Sequence, residues 1–180
     1  MRISSGKWRG KNILSPDGKL KPTSDKVRQA LFNVLRTEIL DARFLDLFAG
    51  SGSVGITALS EGADFVSFVE YDSRTYKALR ENLYTLVDKS NYQTFRTTVN
   101  KISTLFKEES FDIIFADPFY PDITHFLKNL HRDAFALLSK NGLFILEHGK
   151  KTHIEELNTL EGYLETKAYG DTALSFYRKE

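Results

Sequence analysis

Short apolar runs alternate with amphipathic segments along most of this chain. The apolar runs predict five buried strands, at residues 44–48, 65–70, 93–98, 111–116 and 143–148. Apolar positions at helical spacing predict helices between them, near residues 54–60, 73–87, 101–106 and 123–138. Such alternation is typical of an α/β fold, in which helices cover both faces of a mostly parallel sheet. Residues 163–169 and 173–177 flank Gly170-Asp171 and predict a hairpin that adds an antiparallel edge to this sheet.

The segment before the first strand departs from this alternation. Residues 1–14 are polar with scattered apolar side chains, and a turn at residues 15–18 follows them. We expect a short hairpin or an extended arm there. Thr23-Ser24-Asp25 is typical of a helix N-cap with an acid in the first turn. Together with apolar residues at helical spacing, these signals predict a helix over about 25–38.

Length and composition place the chain among ordinary globular proteins. Its 180 residues fit one domain, with residues 1–40 as an N-terminal extension and helix and residues 41–180 as the core. The absence of cysteine excludes disulfides and cysteine metal sites. The four histidines lack ligand spacing, so we expect no metal. No signal peptide or membrane-length apolar run is evident, so a cytoplasmic monomer is the expectation.

The net charge of +1 conceals an asymmetry between the two parts of the chain. Residues 1–28 carry eight basic and two acidic side chains, a net charge of +6, whereas the remaining residues sum to −5. A basic extension on a mildly acidic body suits an anionic polymer that docks on one side, although a solvated basic terminus has the same composition. Within it, Trp8 with Lys7 and Arg9 could stack on RNA, or the tryptophan could pin the extension to the body.

A glycine turn follows the first predicted strand, where Ala49-Gly50-Ser51-Gly52 leads directly into a helical pattern. Glycine lets a ligand approach the main chain, and the start of a helix presents backbone N–H groups, so we expect a nucleotide-type cofactor there. Glu70 closes the second strand 18 residues after Gly52, where an acid can hydrogen-bond ribose hydroxyls. The alternative for Glu70 is a solvent-facing acid at a strand end.

Two further polar residues lie in or just after predicted strands. Asp46 lies inside the first strand, where an unpartnered carboxylate would be costly to bury. It could hold the glycine turn or accept from the cofactor amine, or it could be a purely structural N–H acceptor. Asn100 follows the third strand and could face an adenine ring, or it could cap the helix predicted at 101–106.

The segment Asp117-Pro118-Phe119-Tyr120 follows the fourth strand and is the candidate catalytic loop. The exocyclic amine of a base is a poor nucleophile because its lone pair is delocalised into the ring. A carboxylate from Asp117 and a carbonyl from Pro118 could accept its protons and turn the lone pair toward an electrophile, while Tyr120 stacks on the base. The alternative is an ordinary strand-ending turn, which Asp-Pro commonly initiates.

The glycine turn and the catalytic loop meet if the first and fourth strands are neighbours, since ligands bind at the carboxyl ends of strands where the strand order reverses. In that arrangement they predict a methyltransferase that acts on an amino group of a nucleic-acid base. The turn also fits G-x-G-x-x-G, so a nicotinamide-dependent oxidoreductase stays open on that pattern alone.

Six segments of the chain together resemble the bacterial 16S ribosomal RNA guanine-N2 methyltransferases. They are residues 1–10 (MRISSGKWRG), 21–33 (KPTSDKVRQALFN), 45–55 (LDLFAGSGSVG), 68–72 (FVEYD), 111–120 (FDIIFADPFY) and 169–174 (YGDTAL). Many methyltransferases share the middle motifs, whereas the first two segments are much more selective for this family. The resemblance extends nearly from end to end.

The resemblance implies a Rossmann-like methyltransferase fold with seven strands, a C-terminal antiparallel hairpin and an N-terminal extension toward RNA. It implies methylation of a guanine in 16S rRNA, presented as free RNA, a small ribosomal subunit or an assembly intermediate. S-adenosylmethionine would lie near a set of five residues, and the guanine would lie near residues 117–120. The five cofactor residues are Asp46, Phe48, Gly50, Gly52 and Glu70. Thr23 and Arg28 would lie near the methionine end or the RNA path, although Arg28 could instead be a surface helical arginine.

One position departs from the family pattern, because Phe119 stands where a second proline is usual. Phenylalanine restores an N–H and backbone freedom that proline would remove. We expect the carboxylate and the stacking contact to survive, while rate or base choice could change. The open alternatives are an adenine-N6 nucleic-acid methyltransferase and a non-catalytic RNA-binding protein with a decayed methyltransferase core.

Overall fold

The computed structural model describes residues 1–15, 23–118, 124–152 and 154–180, with 124, 125, 154 and 155 described through their backbone alone. Its strands are β1 (Arg43–Leu47), β2 (Phe65–Glu70), β3 (Tyr92–Arg96), β4 (Phe111–Ala116), β5 (Leu138–Gly149), β6 (Tyr163–Tyr169) and β7 (Thr172–Arg178). Its α-helices are α1 (Asp25–Leu35), α2 (Ser53–Glu61), α3 (Ser73–Leu86), α4 (Ile102–Leu105), α5 (Thr124–Leu137) and α6 (Ile154–Asn158).

The seven strands form one sheet in the order β3-β2-β1-β4-β5-β7-β6. The first five strands run parallel, and β7 and β6 join antiparallel as a hairpin at one edge. The α/β prediction and the C-terminal hairpin are therefore confirmed. The order reverses between β1 and β4, which lie side by side, so the chain leaves this point in opposite directions along the sheet.

Alternate residues of the central strands pack into two separate apolar layers, one on each face of the sheet. Phe44 and Phe68 pack with α1, α2 and α3 on one face, whereas Leu45 and Leu47 pack with α5 on the other. Successive side chains of a strand point to opposite faces, and both faces here are covered. This explains why β1 is apolar after the exposed Arg43, with Asp46 as the exception.

The N-terminal arm, residues 1–14, folds back on itself as a short hairpin. Arg2 bridges Asn12, and the Ile3 N–H donates to the Lys11 carbonyl at 2.9 Å. Ile3 and Ile13 are both buried in the layer that contains α1 and α2. The arm is attached to α2 through Ser60, whose hydroxyl donates to the Ser5 carbonyl at 2.7 Å.

The structure departs from the sequence expectation in three elements. Strand β5 begins at Leu138, because Leu138 pairs with Phe111 before an irregularity, and α5 therefore runs directly into the strand. The helix expected at 101–106 divides into a 3-10 helix, Val99–Lys101, followed by α4. The short helix α6 was not predicted, since five residues are too few to show a helical period.

We expect Gly55→Ala to lower the free energy of unfolding by roughly 1–3 kcal/mol through overpacking. A Cβ atom at Gly55 would lie 2.3 Å from Cε1 of Phe68, which is fully buried beneath α2. Alanine has the better helix propensity, by ~1 kcal/mol, so a net loss would show that the steric contact dominates. Urea unfolding of the variant and the unmodified protein measures this change in the free energy of unfolding. The control is Gly149→Ala, whose Cβ would meet its nearest atom at 3.6 Å; equal stability of the two variants would contradict the expectation.

Candidate active site

The carboxyl ends of β1 and β4 lie at the same level in the sheet. Leu47 is opposite Ala116, and the Asp117 N–H points to the Leu47 carbonyl at 3.5 Å. The glycine turn, residues 49–52, leaves β1 at this level, and Asp117-Pro118 leaves β4 beside it. The adjacency on which the predicted site depended is therefore present, at the point where the strand order reverses.

The glycine turn uses backbone conformations that favour glycine. Gly50 and Gly52 have φ of +57° and +84°, and Phe48 just before them has φ of +61°. A Cβ at Gly52 would lie 2.4 Å from Leu79, so this position excludes a side chain. At Gly50 the nearest atom to such a Cβ, the Phe48 carbonyl oxygen, is 4.0 Å away. The main chain at Gly50 is therefore open to a ligand.

Glu70 is tied to the glycine turn by its carboxylate. Its Oε2 accepts from the Gly50 N–H at 2.7 Å, and its Oε1 accepts from the Asp72 N–H at 2.7 Å. The residue is 8% exposed, so the alternative of a solvent-facing acid is wrong. Each carboxylate oxygen can accept a second hydrogen bond, which leaves the ribose prediction chemically possible.

Asp46 joins β1 to the start of α2. Its Oδ2 accepts from the Gly55 N–H at 2.8 Å, and the residue is 2% exposed. Burial raises the pKa of Asp46 to about 8, and the nearby charges of Asp117 and Glu70 act in the same direction. This hydrogen bond to α2 fits the alternative of a structural N–H acceptor, and contact with a cofactor amine stays a prediction.

Asp117 accepts a hydrogen bond from Thr23, which precedes α1. Thr23 Oγ1 lies 3.0 Å from Asp117 Oδ2. Burial raises the pKa of Asp117 to about 6, and the hydrogen bond from Thr23 opposes that shift. Pro118 is buried beside it. The other two residues of the candidate catalytic loop, Phe119 and Tyr120, lie outside the described residues.

Asn100 and Phe48 occupy different surroundings near the site. Asn100 is exposed in the 3-10 helix Val99–Lys101, and the residue at the N-cap of α4 is Lys101. The alternative that Asn100 caps the following helix is therefore wrong, and an adenine contact stays a prediction. Phe48 is half-buried, with its ring 6.4 Å from that of Phe126.

Among the residues predicted to contact RNA, two are exposed, and the prediction for Arg28 is wrong. Lys7 and Arg9 are exposed in the arm, and Lys7 Nζ lies 4.5 Å from the Trp8 ring centroid. Trp8 is half-buried against the core, as the pinning alternative expected, so RNA stacking by its remaining surface stays a prediction. Arg28 is 0% exposed, which excludes a surface helical arginine and leaves no surface for direct RNA contact.

The interior position of Arg28 follows from its hydrogen bonds. Its guanidinium donates to the carbonyls of Thr23 and Arg2, at 2.6 and 3.0 Å, and pairs with Asp25. Arg28 thus joins the arm to the segment before α1. Its place on the apolar stripe of α1, one residue after Val27, was a signal that it faces inward.

Asn82 is a site residue that the sequence reasoning missed. Its amide nitrogen donates to the carbonyls of Ser51 and Leu14, both at 2.9 Å, and its Oδ1 accepts from the Leu14 N–H at 2.8 Å. One buried side chain therefore links the glycine turn to the arm. The available signal was a polar residue on the apolar face of α3, between Leu79 and Leu83.

No group of three or more His, Cys, Asp or Glu side chains in the described part of the chain could hold a metal ion. No helix among the described residues is long and apolar enough to cross a membrane.

Comparison with known proteins identifies the family of the chain. The family model described as Conserved hypothetical protein 95 matches residues 1–178. The chain belongs to this family. Ribosomal RNA small subunit methyltransferase D of Haemophilus influenzae is 38% identical over 78% of this chain and 72% of its own length. The protein of the same name from Escherichia coli is 37% identical over 79% and 68%, respectively.

The solved structures give the same result for the fold. Escherichia coli yhhF superposes with a TM-score of 0.83 at 30% identity and covers 100% of this chain and 98% of its own. The Geobacter metallireducens precorrin-6y C5,15-methyltransferase, at 16% identity, superposes with a TM-score of 0.73 over 93% and 94% of the two chains. The fold is a Rossmann-like methyltransferase fold, and the resemblance stated from the sequence is confirmed as to family.

We expect the free energy of unfolding to fall as pH rises from about 4.5 to 7.5. The raised pKa of Asp46 means that the folded protein keeps a proton that the unfolded chain has already lost in this range. The slope is at most ~1.4 kcal/mol per pH unit for one such group. Asp117 adds to it below its own pKa of about 6. Asp46→Asn should flatten the dependence, measured by urea unfolding at several pH values. The exposed Asp171→Asn is the control, and an unchanged slope in Asp46→Asn would contradict the assignment.

Proposed function

We propose that this protein transfers a methyl group from S-adenosylmethionine to the N2 amine of a guanine in 16S rRNA. The observation that carries the proposal is the position of the half-buried Asp117 carboxylate beside the glycine turn that Glu70 bonds, at the point where the strand order reverses. The relatives named ribosomal RNA small subunit methyltransferase D support the substrate class.

The glycine turn and Glu70 fit the cofactor. Open main chain at Gly50 allows close approach, and the oxygens of Glu70 can each accept one more hydrogen bond, as ribose hydroxyls require. SMU.776, which was solved with SAH bound, has the same fold at a TM-score of 0.70 and 16% identity. When bound, S-adenosylmethionine supplies an electrophilic methyl carbon on a sulfonium.

Asp117 is the group that would act on the amine. Its carboxylate accepts one amine N–H and the Pro118 carbonyl accepts the other, which localises the lone pair on the nitrogen and directs it toward the methyl carbon. The nitrogen forms the new bond as the carbon–sulfur bond breaks, and the electron pair of that bond remains on sulfur. One amine proton then passes to the Asp117 carboxylate and on to water.

The exposed cations of the arm form a surface on which RNA can dock. Lys7 and Arg9 are exposed cations on a segment that is attached to α2, and phosphate contacts by such residues position a nucleic acid. The target guanine must leave its stack to reach Asp117, as in other enzymes that modify bases. Tyr120, which lies outside the described residues, is proposed to stack on that guanine.

A methyl-transfer assay tests the proposal. Labelled S-adenosylmethionine is offered with unmodified small ribosomal subunits, free 16S rRNA or duplex DNA, followed by mass spectrometry of the nucleosides. N2-methylguanosine from a ribosomal substrate supports the proposal. Methyladenine would replace it with adenine-N6 chemistry, and cofactor binding without transfer to any substrate would favour a non-catalytic RNA-binding protein. Preference for NAD in a binding titration would indicate an oxidoreductase.

We expect Asp117→Ala to lower the rate of methyl transfer by ~10²–10⁴-fold, the usual contribution of a positioned proton acceptor. Cofactor binding should stay close to that of the unmodified protein, because Glu70 and the glycine turn are untouched. Single-turnover transfer and calorimetric titration measure the two effects. Asp171→Ala, on the exposed hairpin turn, is the control. A transfer rate within about threefold of the unmodified protein would remove Asp117 from the mechanism.

We expect Glu70→Gln to weaken S-adenosylmethionine binding by ~10–100-fold, because an amide has half the acceptor capacity of a carboxylate for ribose hydroxyls. The substitution also places an NH₂ group opposite the Gly50 or Asp72 N–H. Isothermal titration calorimetry measures the change, with the exposed Glu81→Gln on α3 as the matched control. Equal affinities in the two variants would contradict the ribose assignment.

A further inference from the structure

Thr23 makes a side-chain contact with the candidate catalytic carboxylate. It lies just before α1, is 6% exposed, and donates from Oγ1 to Asp117 Oδ2 at 3.0 Å. The two residues are 94 positions apart in the sequence. This is the hydrogen bond to the Asp117 carboxylate that the structure shows, and it fixes one of the two carboxylate oxygens.

Thr23 is itself held in place by Arg28. Arg28 Nη1 donates to the Thr23 carbonyl at 2.6 Å, while Nη2 donates to the Arg2 carbonyl at 3.0 Å. The guanidinium is planar and rigid, so these two carbonyls are set at a fixed separation. Arg28 has no exposed surface, and the sulfur of Met1 lies 3.1 Å from Nη1. The backbone of Thr23 is therefore held by Arg28, while its side chain bonds Asp117.

We propose that Thr23 is a positioning residue for Asp117, and that the buried Arg28, which also bonds the N-terminal arm, fixes Thr23 through the Thr23 carbonyl. The inference rests on the proposed methyl transfer for its catalytic consequence. With Oδ2 occupied by the Thr23 hydroxyl, the carboxyl group cannot rotate freely. Oδ1 is then the oxygen that accepts from the amine of the substrate.

The Thr23 hydroxyl has an electrostatic effect as well as a geometric one. A donor stabilises the ionised carboxylate and so lowers the pKa of Asp117 against the upward effect of burial. The other charged groups around this contact, within the described residues, are distributed over four elements. They are Asp46 on β1, Glu70 on β2, Arg28 and Asp25 on α1, and Glu147 on β5, which attracts Arg28.

The plainer explanation is that the Thr23–Asp117 contact only joins the N-terminal segment to the sheet. In that case removal of the hydroxyl would lower stability and leave the chemistry of Asp117 unchanged. The two explanations differ in two quantities, the pH dependence of turnover and the titration of the Asp117 carboxyl group. A loss of stability alone changes neither of them in the folded protein.

The experiment compares Thr23→Val, which lacks the donor, with Thr23→Ser, which retains it, and with the exposed control Thr37→Val. We expect Thr23→Val to lower kcat by about 10–100-fold, the cost of a misplaced reacting group, with little change in cofactor affinity. The acid limb of kcat against pH should move to higher pH. Thr23→Ser should restore both, and Thr37→Val should match the unmodified protein. Thr23→Ala replaces Thr23→Val if the valine variant does not fold.

A second readout separates failure of this inference from failure of the proposed function. The Asp117 carboxyl carbon is followed by NMR in ¹³C-aspartate-labelled protein and assigned by its absence in Asp117→Asn. The pH midpoint of the Asp117 carboxyl titration should rise in Thr23→Val and return to the value of the unmodified protein in Thr23→Ser. This readout does not require the correct RNA substrate. An unchanged midpoint overturns the inference. If the midpoint moves while the unmodified protein methylates no substrate, the positioning contact stands and the proposed function does not.

Discussion

The parallel pairing of β1 with β4 is the interaction on which the rest of the site depends. It sets Leu47 opposite Ala116, so that two loops distant in sequence leave the sheet at one level. The strand order reverses there, and the helices that follow the two strands cover opposite faces of the sheet. The strand order therefore creates the crevice between the two loops, and the side chains of the loops line it.

Three carboxylates, two buried and one half-buried, share this small region, and their surroundings give them different properties. Glu70 accepts from two backbone N–H groups, and both of its oxygens are engaged. Asp46 has one such donor and lies in the strand interior, which favours its neutral form. Asp117 receives a side-chain hydroxyl donor, which opposes the upward effect of burial on its pKa. The three carboxylates thus differ in the number and the kind of donors that they receive.

Much of the fold and part of the site could be predicted from the sequence. The strands could be predicted because both faces of the sheet are covered, which makes each central strand a short apolar run. Glu70 and Asp117 could be identified as acids at the ends of such runs. The partners of these acids could not be predicted. Thr23, Arg28 and Asn82 act through contacts with residues far away in the chain or in irregular backbone. Local periodicity reports which face of a helix is buried, and it carries no information about which loop will lie against that face.

The docking of the N-terminal arm has a consequence for the order in which the protein can fold during synthesis. The arm and Thr23 leave the ribosome before the residues that they bond, since Leu14 bonds Asn82, 68 residues later, and Thr23 bonds Asp117, 94 residues later. Pairing across such separations must wait until the intervening chain exists, and long loops slow it further. These contacts therefore form only after Asn82 and Asp117 have been made. Until then the basic side chains of residues 1–28 stay close to the RNA of the ribosome that is making the protein.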